Sequence, residues 1–278
     1  MIYQQILLSS VLFIGLTLTS IVLAHGEIYP RIEKLTDEIT QHSSTELLLK
    51  RGLLFRDDNH LNKALRDFKT VLHDDVNHVD ALYFAAETAL NLGKIKEANT
   101  FTSRFLKQIK KQTKGAAHAK AYRLFAEIYA VQGKLDSSIV FWKKSLALQA
   151  YPIPNHWLKL AALQSQQKNY TAALTTLQQA LARLGNNVSI QDAILETALK
   201  AKSYPIALSI IEQQLSTSAS LRTVILLLKK SDTLYLADQP ILASNIKQQA
   251  LKQFKQLPSN KKHSPVALSI QQQLASNL

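Results

Sequence analysis

The sequence predicts an all-α protein, an α-solenoid of tandem helix–turn–helix units, and three observations predict it. The 278 residues include only 7 Gly and 7 Pro, while Leu, Ala, Gln and Lys, which favour helices intrinsically, are abundant. A small residue recurs after a turn at Ala64, Ala98, Ser138, Ala173 and Ala207, with spacings of 34, 40, 35 and 34. A period near 34 suits a unit of two antiparallel helices. No segment carries a strand signal.

Taken from the beginning, Ile6 to Ala24 is almost wholly apolar and uncharged. Val22-Leu23-Ala24 closes it on a small residue, and Ala24-His25-Gly26 offers a second cleavage site. Residues 1–24 therefore read as a secretory signal peptide. The alternative is an uncleaved membrane anchor, because about 19 apolar residues can span a bilayer core of about 30 Å. Both readings place the remainder outside the cytoplasm, in the periplasm. The absence of cysteine excludes disulfides, thiolate zinc sites and a cysteine nucleophile.

Residues 25–44 precede the repeats. Ile28, Ile32, Leu35 and Ile39 share one helical face, and Pro30 suits a first turn, where its missing donor is not needed. Ser43-Ser44-Thr45-Glu46 reads as a capping box that opens the array.

The array is expected over 45–219 in about five units. Three residues before each small residue stands an apolar anchor: Leu61, Ile95, Leu135, Tyr170 and Tyr204. Two residues earlier is a turn former or polar residue: Asn59, Gly93, Gly133, Lys168 and Lys202. Four residues after it come Phe68, Thr102, Trp142, Leu177 and Ile211; sixteen before it come Leu48, Leu82, Tyr122, Trp157 and, off the pattern, Gln191. Gly93 and Gly133 can adopt the left-handed conformation that ends a helix. The small residue lets two helix backbones approach closely. Six extra residues lie around Lys110 to Gly115, either lengthening a helix or forming a loop. Residues 220–257 read as an eroded helix pair broken near Asp238-Gln239-Pro240, and 258–278 as a Gln-rich helix expected to be mobile.

Leu92-Gly93-Lys94-Ile95-Lys96-Glu97-Ala98 and Asn169-Tyr170-Thr171-Ala172-Ala173-Leu174 carry a resemblance to the tetratricopeptide repeat family over roughly Thr45 to Leu215. The resemblance implies a right-handed superhelical solenoid whose first helices line a concave groove. On its register the groove positions are Glu46, Arg56, Asp80, Tyr83, Glu87, Arg123, Glu127, Asp192 and Glu196. Alternating charge with one aromatic suits an extended peptide or a partner helix. The Lys and Asn donors with which some members clamp a C-terminal carboxylate are replaced by Leu49, Leu53, Tyr83 and Glu87, which disfavours that role.

No catalytic motif appears. Gly52, Gly93 and Gly133 are isolated, so no phosphate loop forms, and neither enzymatic activity nor a cofactor is expected. His73-Asp74-Asp75-Val76-Asn77-His78 and Asp57-Asp58-Asn59-His60 contain metal-binding residue types, but their register makes them turn and cap segments. His25 is the one candidate metal ligand: as a mature N-terminus its amine and imidazole suit Cu(II). The net charge of +13 is uneven, with 12 acidic and 8 basic residues from His25 to Leu90 but 8 acidic and 25 basic beyond. Lys107, Lys110, Lys111 and Lys114, or Lys252, Lys255, Lys261 and Lys262, could meet an anionic lipid or polymer. Nucleic acid is not expected, because these lysines are not interleaved with stacking aromatics. The expected function is an exported scaffold that binds a protein partner, such as an envelope assembly factor. Its rivals are an envelope copper-handling protein and a non-catalytic accessory subunit of an envelope enzyme.

Overall fold

The computed structural model describes residues 28–110, 112–215 and 221–275. The expected signal segment, His25 and Lys111 lie outside the described residues. The chain divides into two compact units, the first ending at Ala150 and the second beginning at Tyr151. This boundary falls inside the array that the sequence presents as continuous.

The first unit comprises α1 (residues 28–41), α2 (Thr45–Asp57), α3 (Leu61–Asp74), α4 (Val79–Asn91), α5 (Ile95–Ile109), α6 (Ala116–Val131) and α7 (Leu135–Ala147). The second comprises α8 (Pro154–Gln166), α9 (Tyr170–Leu184), α10 (Val188–Lys200), α11 (Tyr204–Leu215), α12 (Leu221–Leu236), α13 (Pro240–Gln256), α14 (Ser259–Lys262) and α15 (Pro265–Ala275). Among the described residues there is no strand. Each unit is a stack of antiparallel helix pairs, as expected for an all-α solenoid.

The period has a backbone cause. Every anchor residue is the first residue of a second helix: Leu61, Ile95, Leu135, Tyr170 and Tyr204 open α3, α5, α7, α9 and α11. Two residues before each opening the backbone turns left-handed, at Asn59, Gly93, Gly133, Lys168 and Lys202. The next N–H then reaches back five residues: His60 to Phe55 O (2.7 Å), Lys94 to Ala89 O (2.8 Å) and Asn169 to Gln164 O (2.9 Å). This closure satisfies carbonyls that a helix end leaves open. The sequence marked only the glycines for this conformation, yet asparagine and lysine adopt it too, at a cost of roughly 1–2 kcal/mol each that the bonded turn offsets.

The fourth residue of each second helix, Ala64, Ala98, Ser138, Ala173 or Ala207, has no solvent exposure. Ser138 keeps its hydroxyl satisfied by donating to Ala126 O on α6 at 2.7 Å. One turn on, Phe68, Thr102, Trp142, Leu177 and Ile211 are at most 1 % exposed. Gln191, which breaks the apolar pattern, is buried nonetheless; its amide donates to Asn186 Oδ1 at 2.9 Å, which meets the cost of burying it.

Other expectations need correction. The cap of α2 is Ser44, whose hydroxyl accepts from Leu47 N at 3.2 Å. Glu46 is therefore one residue too early for a reciprocal box with Ser44 and instead binds Lys50 Nζ at 2.6 Å. The six extra residues are shared out: α5 has 15 residues against 14 in α3, α6 has 16 against 13 in α4, and a longer loop joins them. The pair at 221–256 is not eroded. Asp238 takes the left-handed turn, Pro240 opens α13, and Ala243 is fully buried beneath the Ser231 hydroxyl, which donates to its carbonyl at 2.8 Å. Those three residues repeat the offsets of the other units, making a sixth. The Gln-rich helix is also anchored, because Ala267 and Ile270 of α15 bury against Phe254 and Leu257.

Gly52 carries a constraint that the sequence did not disclose. A Cβ there would lie 2.6 Å from Phe68 Cε1, so α2 can reach α3 only where it has no side chain.

Candidate functional site

In the first unit, α2, α4 and α6 are the first helices of successive pairs. The offsets of 34 and 40 residues place Leu49, Tyr83 and Arg123 at one level, Leu53, Glu87 and Glu127 at the next, and Arg56, Leu90 and Ala130 at a third. Residues three and four apart on a helix share a face, so these levels form one surface. All nine residues are half-buried. Leu49, Leu53, Tyr83 and Leu90 pack their inner sides on the hydrophobic core.

An ion network ties the levels together. Arg123 donates through Nη2 to Glu87 Oε1 at 2.6 Å and to the Tyr83 hydroxyl at 2.9 Å. Its Nη1 donates to Glu127 Oε2 at 3.1 Å. The Tyr83 hydroxyl in turn donates to Glu87 Oε1 at 3.1 Å. From the other side, Arg56 Nη1 lies 3.6 Å from Glu87 Oε2, its guanidinium is 5.0 Å from the Phe84 ring centroid, and its Nη2 binds Asp57 Oδ1 at 2.9 Å. Glu87 thus bridges arginines from the helices on both sides of it.

The electrostatics follow from this geometry. Burial works against the charge of Arg123, but Glu127, Tyr83 and Glu87 outweigh it and hold the guanidinium more firmly protonated than usual. Burial is the main influence on Tyr83 and pushes its phenol up, with Arg123 and Glu87 acting in opposite senses. Tyr83 is accordingly a neutral donor and acceptor at neutral pH.

The structure therefore brings together five of the nine expected groove residues: Arg56, Tyr83, Glu87, Arg123 and Glu127. Their charges face one another and the Arg123 side chain is only 14 % exposed, so they do not stand as open charges in a groove. A helical wheel gives the face a residue occupies but not whether a partner on the next helix covers it. Glu46 and Asp80 remain exposed, one turn before Leu49 and Tyr83. The hydrogen bond from Lys50 holds the Glu46 carboxyl below its usual range. Asp192 and Glu196 belong to the second unit, where Asp192 accepts from Gln214 Nε2 at 2.8 Å and Glu196 from Lys200 Nζ at 2.6 Å. Lys120 was missed: it occupies the level of Glu46 and Asp80, and its ammonium lies 4.8 Å from the Tyr83 ring centroid. The 40-residue offset could have found it.

The two polar clusters work as turns and caps. His78 Nδ1 caps Ala81 N at 3.3 Å, Asp75 Oδ1 accepts from Asn77 N at 2.9 Å, and Asn77 Oδ1 accepts from Gln108 Nε2 of α5 at 2.6 Å. Arg104 of α5 donates to the Val76 carbonyl, so this loop also links neighbouring pairs. His60 sits 3.0 Å from Asp58 Oδ2 beside the left-handed Asn59. Among the described residues no group of three or more His, Asp or Glu could hold a metal ion.

No protein-family model and no curated protein matches the sequence. Solved structures do match the fold. A tetratricopeptide repeat protein from Parabacteroides merdae ATCC 43184 is similar over 92 % of this chain and 95 % of its own, with a TM-score of 0.54 and 13 % identity. YrrB, described as a TPR protein with an unusual peptide-binding site, is similar over 74 % of this chain and 97 % of its own, with a TM-score of 0.51 and 13 % identity. MamA from Desulfovibrio magneticus RS-1 (residues 41 to the end) is similar over 60 % of this chain and 92 % of its own, with a TM-score of 0.52 and 18 % identity. The fold is that of the tetratricopeptide repeat solenoids.

Proposed function

We propose that this chain is a non-catalytic scaffold for protein–protein interaction, and that the face of α2, α4 and α6 binds a peptide or helical segment of a protein partner. The observation that carries this reading is the composition of that face. Half-exposed Leu49, Leu53, Tyr83 and Leu90 form an apolar floor, framed by an ion network spanning three pairs. Aromatic and arginine side chains contribute disproportionately to interfaces, because they bury area with few rotamers to lose. A floor whose own charges are already matched can bury against a partner without stranding a charge. The peptide-binding site named for YrrB agrees with this use of the fold.

The test must separate binding from folding, so it uses the exposed level beside the floor. Asp80→Asn combined with Lys120→Arg changes two exposed side chains that a docked segment would pass while keeping a polar first turn on α4 and a cation over the Tyr83 ring, and surface changes of this kind leave stability within about 0.5 kcal/mol. Affinity capture from envelope extract should identify a protein retained by the wild type and reduced by the variant, with equal melting midpoints. Unchanged capture with an unchanged melt would remove this face from the binding surface.

We propose also that the chain is exported, on the strength of the uncharged apolar run ending at Ala24. A fusion of Met1–Glu27 to a reporter should be delivered to the periplasm. A cytoplasmic reporter would overturn export, whereas an uncleaved membrane-bound one would select the anchor over the signal peptide.

A further inference from the structure

The last elements of the second unit carry a marked charge imbalance. From Pro240 to Ala275 the sequence contains five lysines and neither Asp nor Glu. Lys247 is compensated, because it faces Asp232 of α12. Lys252, Lys255, Lys261 and Lys262 have no carboxylate on α13, α14 or α15 within reach. Like charges held together repel, so the grouping of Lys252, Lys255 and Lys261, which no ion pair among the described residues offsets, costs the fold.

The helix geometry shows where they converge. The buried residues of α13 are Ala243, Ala250 and Phe254. The opposite face runs through Ile241, Asn245, Gln248, Lys252 and Lys255, at positions i, i+4, i+7, i+11 and i+14, and all five are exposed. At 1.5 Å per residue this stripe is about 21 Å long. Its basic end is extended by α14: Lys262 Nζ donates to the Lys255 carbonyl at 2.8 Å, which holds that ammonium at the C-terminal end of α13, where the helix dipole favours a cation. Lys261 is exposed next to them. The far end is apolar. Ile241 is 78 % exposed, and Leu236 and Leu242 beside the α12–α13 turn are 58 % and 52 % exposed.

We propose that this face of α13 and α14 is a docking surface for an anionic lipid bilayer. The exposed Lys252, Lys255 and Lys261, with Lys262 adding its charge at the helix end, complement a layer of phosphate headgroups, and the exposed aliphatic end can enter the boundary between headgroups and acyl chains. Nucleic acid fits less well: Phe254, the one aromatic of α13 to α15, is buried and offers no base a stacking platform. The lysines lie along the outer face of a packed helix, and no helix among the described residues is long and apolar enough to cross a membrane. The surface therefore rests on a bilayer and does not span it.

The experiment measures cosedimentation of the full chain with vesicles of phosphatidylcholine alone and of phosphatidylcholine mixed with phosphatidylglycerol. The quantity read is the gain in binding caused by phosphatidylglycerol, which discounts any insertion of the apolar residues 6–24 that is common to both vesicles. That gain should fall on the order of 30-fold in Lys252→Gln/Lys255→Gln, the equivalent of about 1 kcal/mol per lysine. It should also collapse between 0.1 and 0.5 M salt, as the screening length shortens from about 10 Å. Lys107→Gln/Lys110→Gln, with the same change in net charge, should leave it within a factor of about three. An equal fall in both variants would reduce the effect to overall charge and overturn the docking surface, as would the absence of any gain. Tighter binding to soluble polyglutamate than to the mixed vesicles, lost in the α13 variant, would replace the bilayer with an acidic protein partner.

Discussion

Replacing Asp67 with alanine should destabilise the first compact unit by about 3–5 kcal/mol, the range for removing one partner of a buried ion pair. Asp67 on α3 receives both arms of Arg51 on α2: Nε to Oδ2 and Nη2 to Oδ1, each at 2.8 Å. The remaining Arg51 nitrogen donates to Thr36 Oγ1 on α1 at 3.2 Å, and that hydroxyl donates to Ile32 O at 2.7 Å. The two charged side chains are 16 % and 6 % exposed, so water cannot solvate the guanidinium once its carboxylate is gone. The sign rests on the stranded charge and not on the worth of the pair. Arg51→Met with Asp67→Leu should therefore recover most of the loss. Urea unfolding followed by Trp142 fluorescence, in a Trp157→Phe background, reports on the unit that contains the pair. A loss below about 1 kcal/mol in Asp67→Ala would mean that the pair is solvated.

Arg123→Ala should cost roughly 2–3 kcal/mol, toward the upper end for leaving half-buried charged groups without a donor. Glu87 keeps Arg56 as a more distant partner at 3.6 Å, which sets this loss below that of Asp67→Ala. Arg123→Lys keeps the charge, but a single ammonium cannot reach Glu87, Tyr83 and Glu127 as the planar fork does. It should restore less than half of the loss, read by the same fluorescence melt. A midpoint unchanged in Arg123→Ala would show that the network is a solvated surface feature. Because the expected effect is on folding, weaker partner capture by Arg123→Ala would not identify a binding residue. The exposed pair Asp80 and Lys120 makes that distinction.

Most of the repeat fold was legible because its constraints are local and recur. A small residue must sit where two helices touch, and a large one must fill the space a turn later. These demands placed Ala64, Ala98, Ser138, Ala173 and Ala207 in full burial. The sixth unit escaped because the signal at that position was judged by the identity of Asp238-Gln239-Pro240 and not by its offset: a left-handed aspartate followed by a proline at the first helical position satisfies the same backbone geometry. Within the candidate site, the residues on the face and the i,i+4 pairs Tyr83–Glu87 and Arg123–Glu127 could be chosen by period, but the pairing between helices could not.

The sequence by itself determined the helices, their turns and the residues at their contacts, because each is fixed by interactions within a few residues or by a short, repeated packing rule. It also determined that the last part of the chain is basic, since charge is a property of composition. Only the tertiary structure decided that Arg56, Glu87, Arg123 and Glu127 neutralise one another across three helices, that Arg51 and Asp67 form a buried strut, and that Gly52 must lack a side chain because of Phe68. The pairs that join different helices are separated by 16 to 36 positions, and no local rule sets the side-chain direction and helix spacing that bring a guanidinium within 3 Å of a carboxylate. That distance, at which a charge is either satisfied or stranded, is a property of the packed stack.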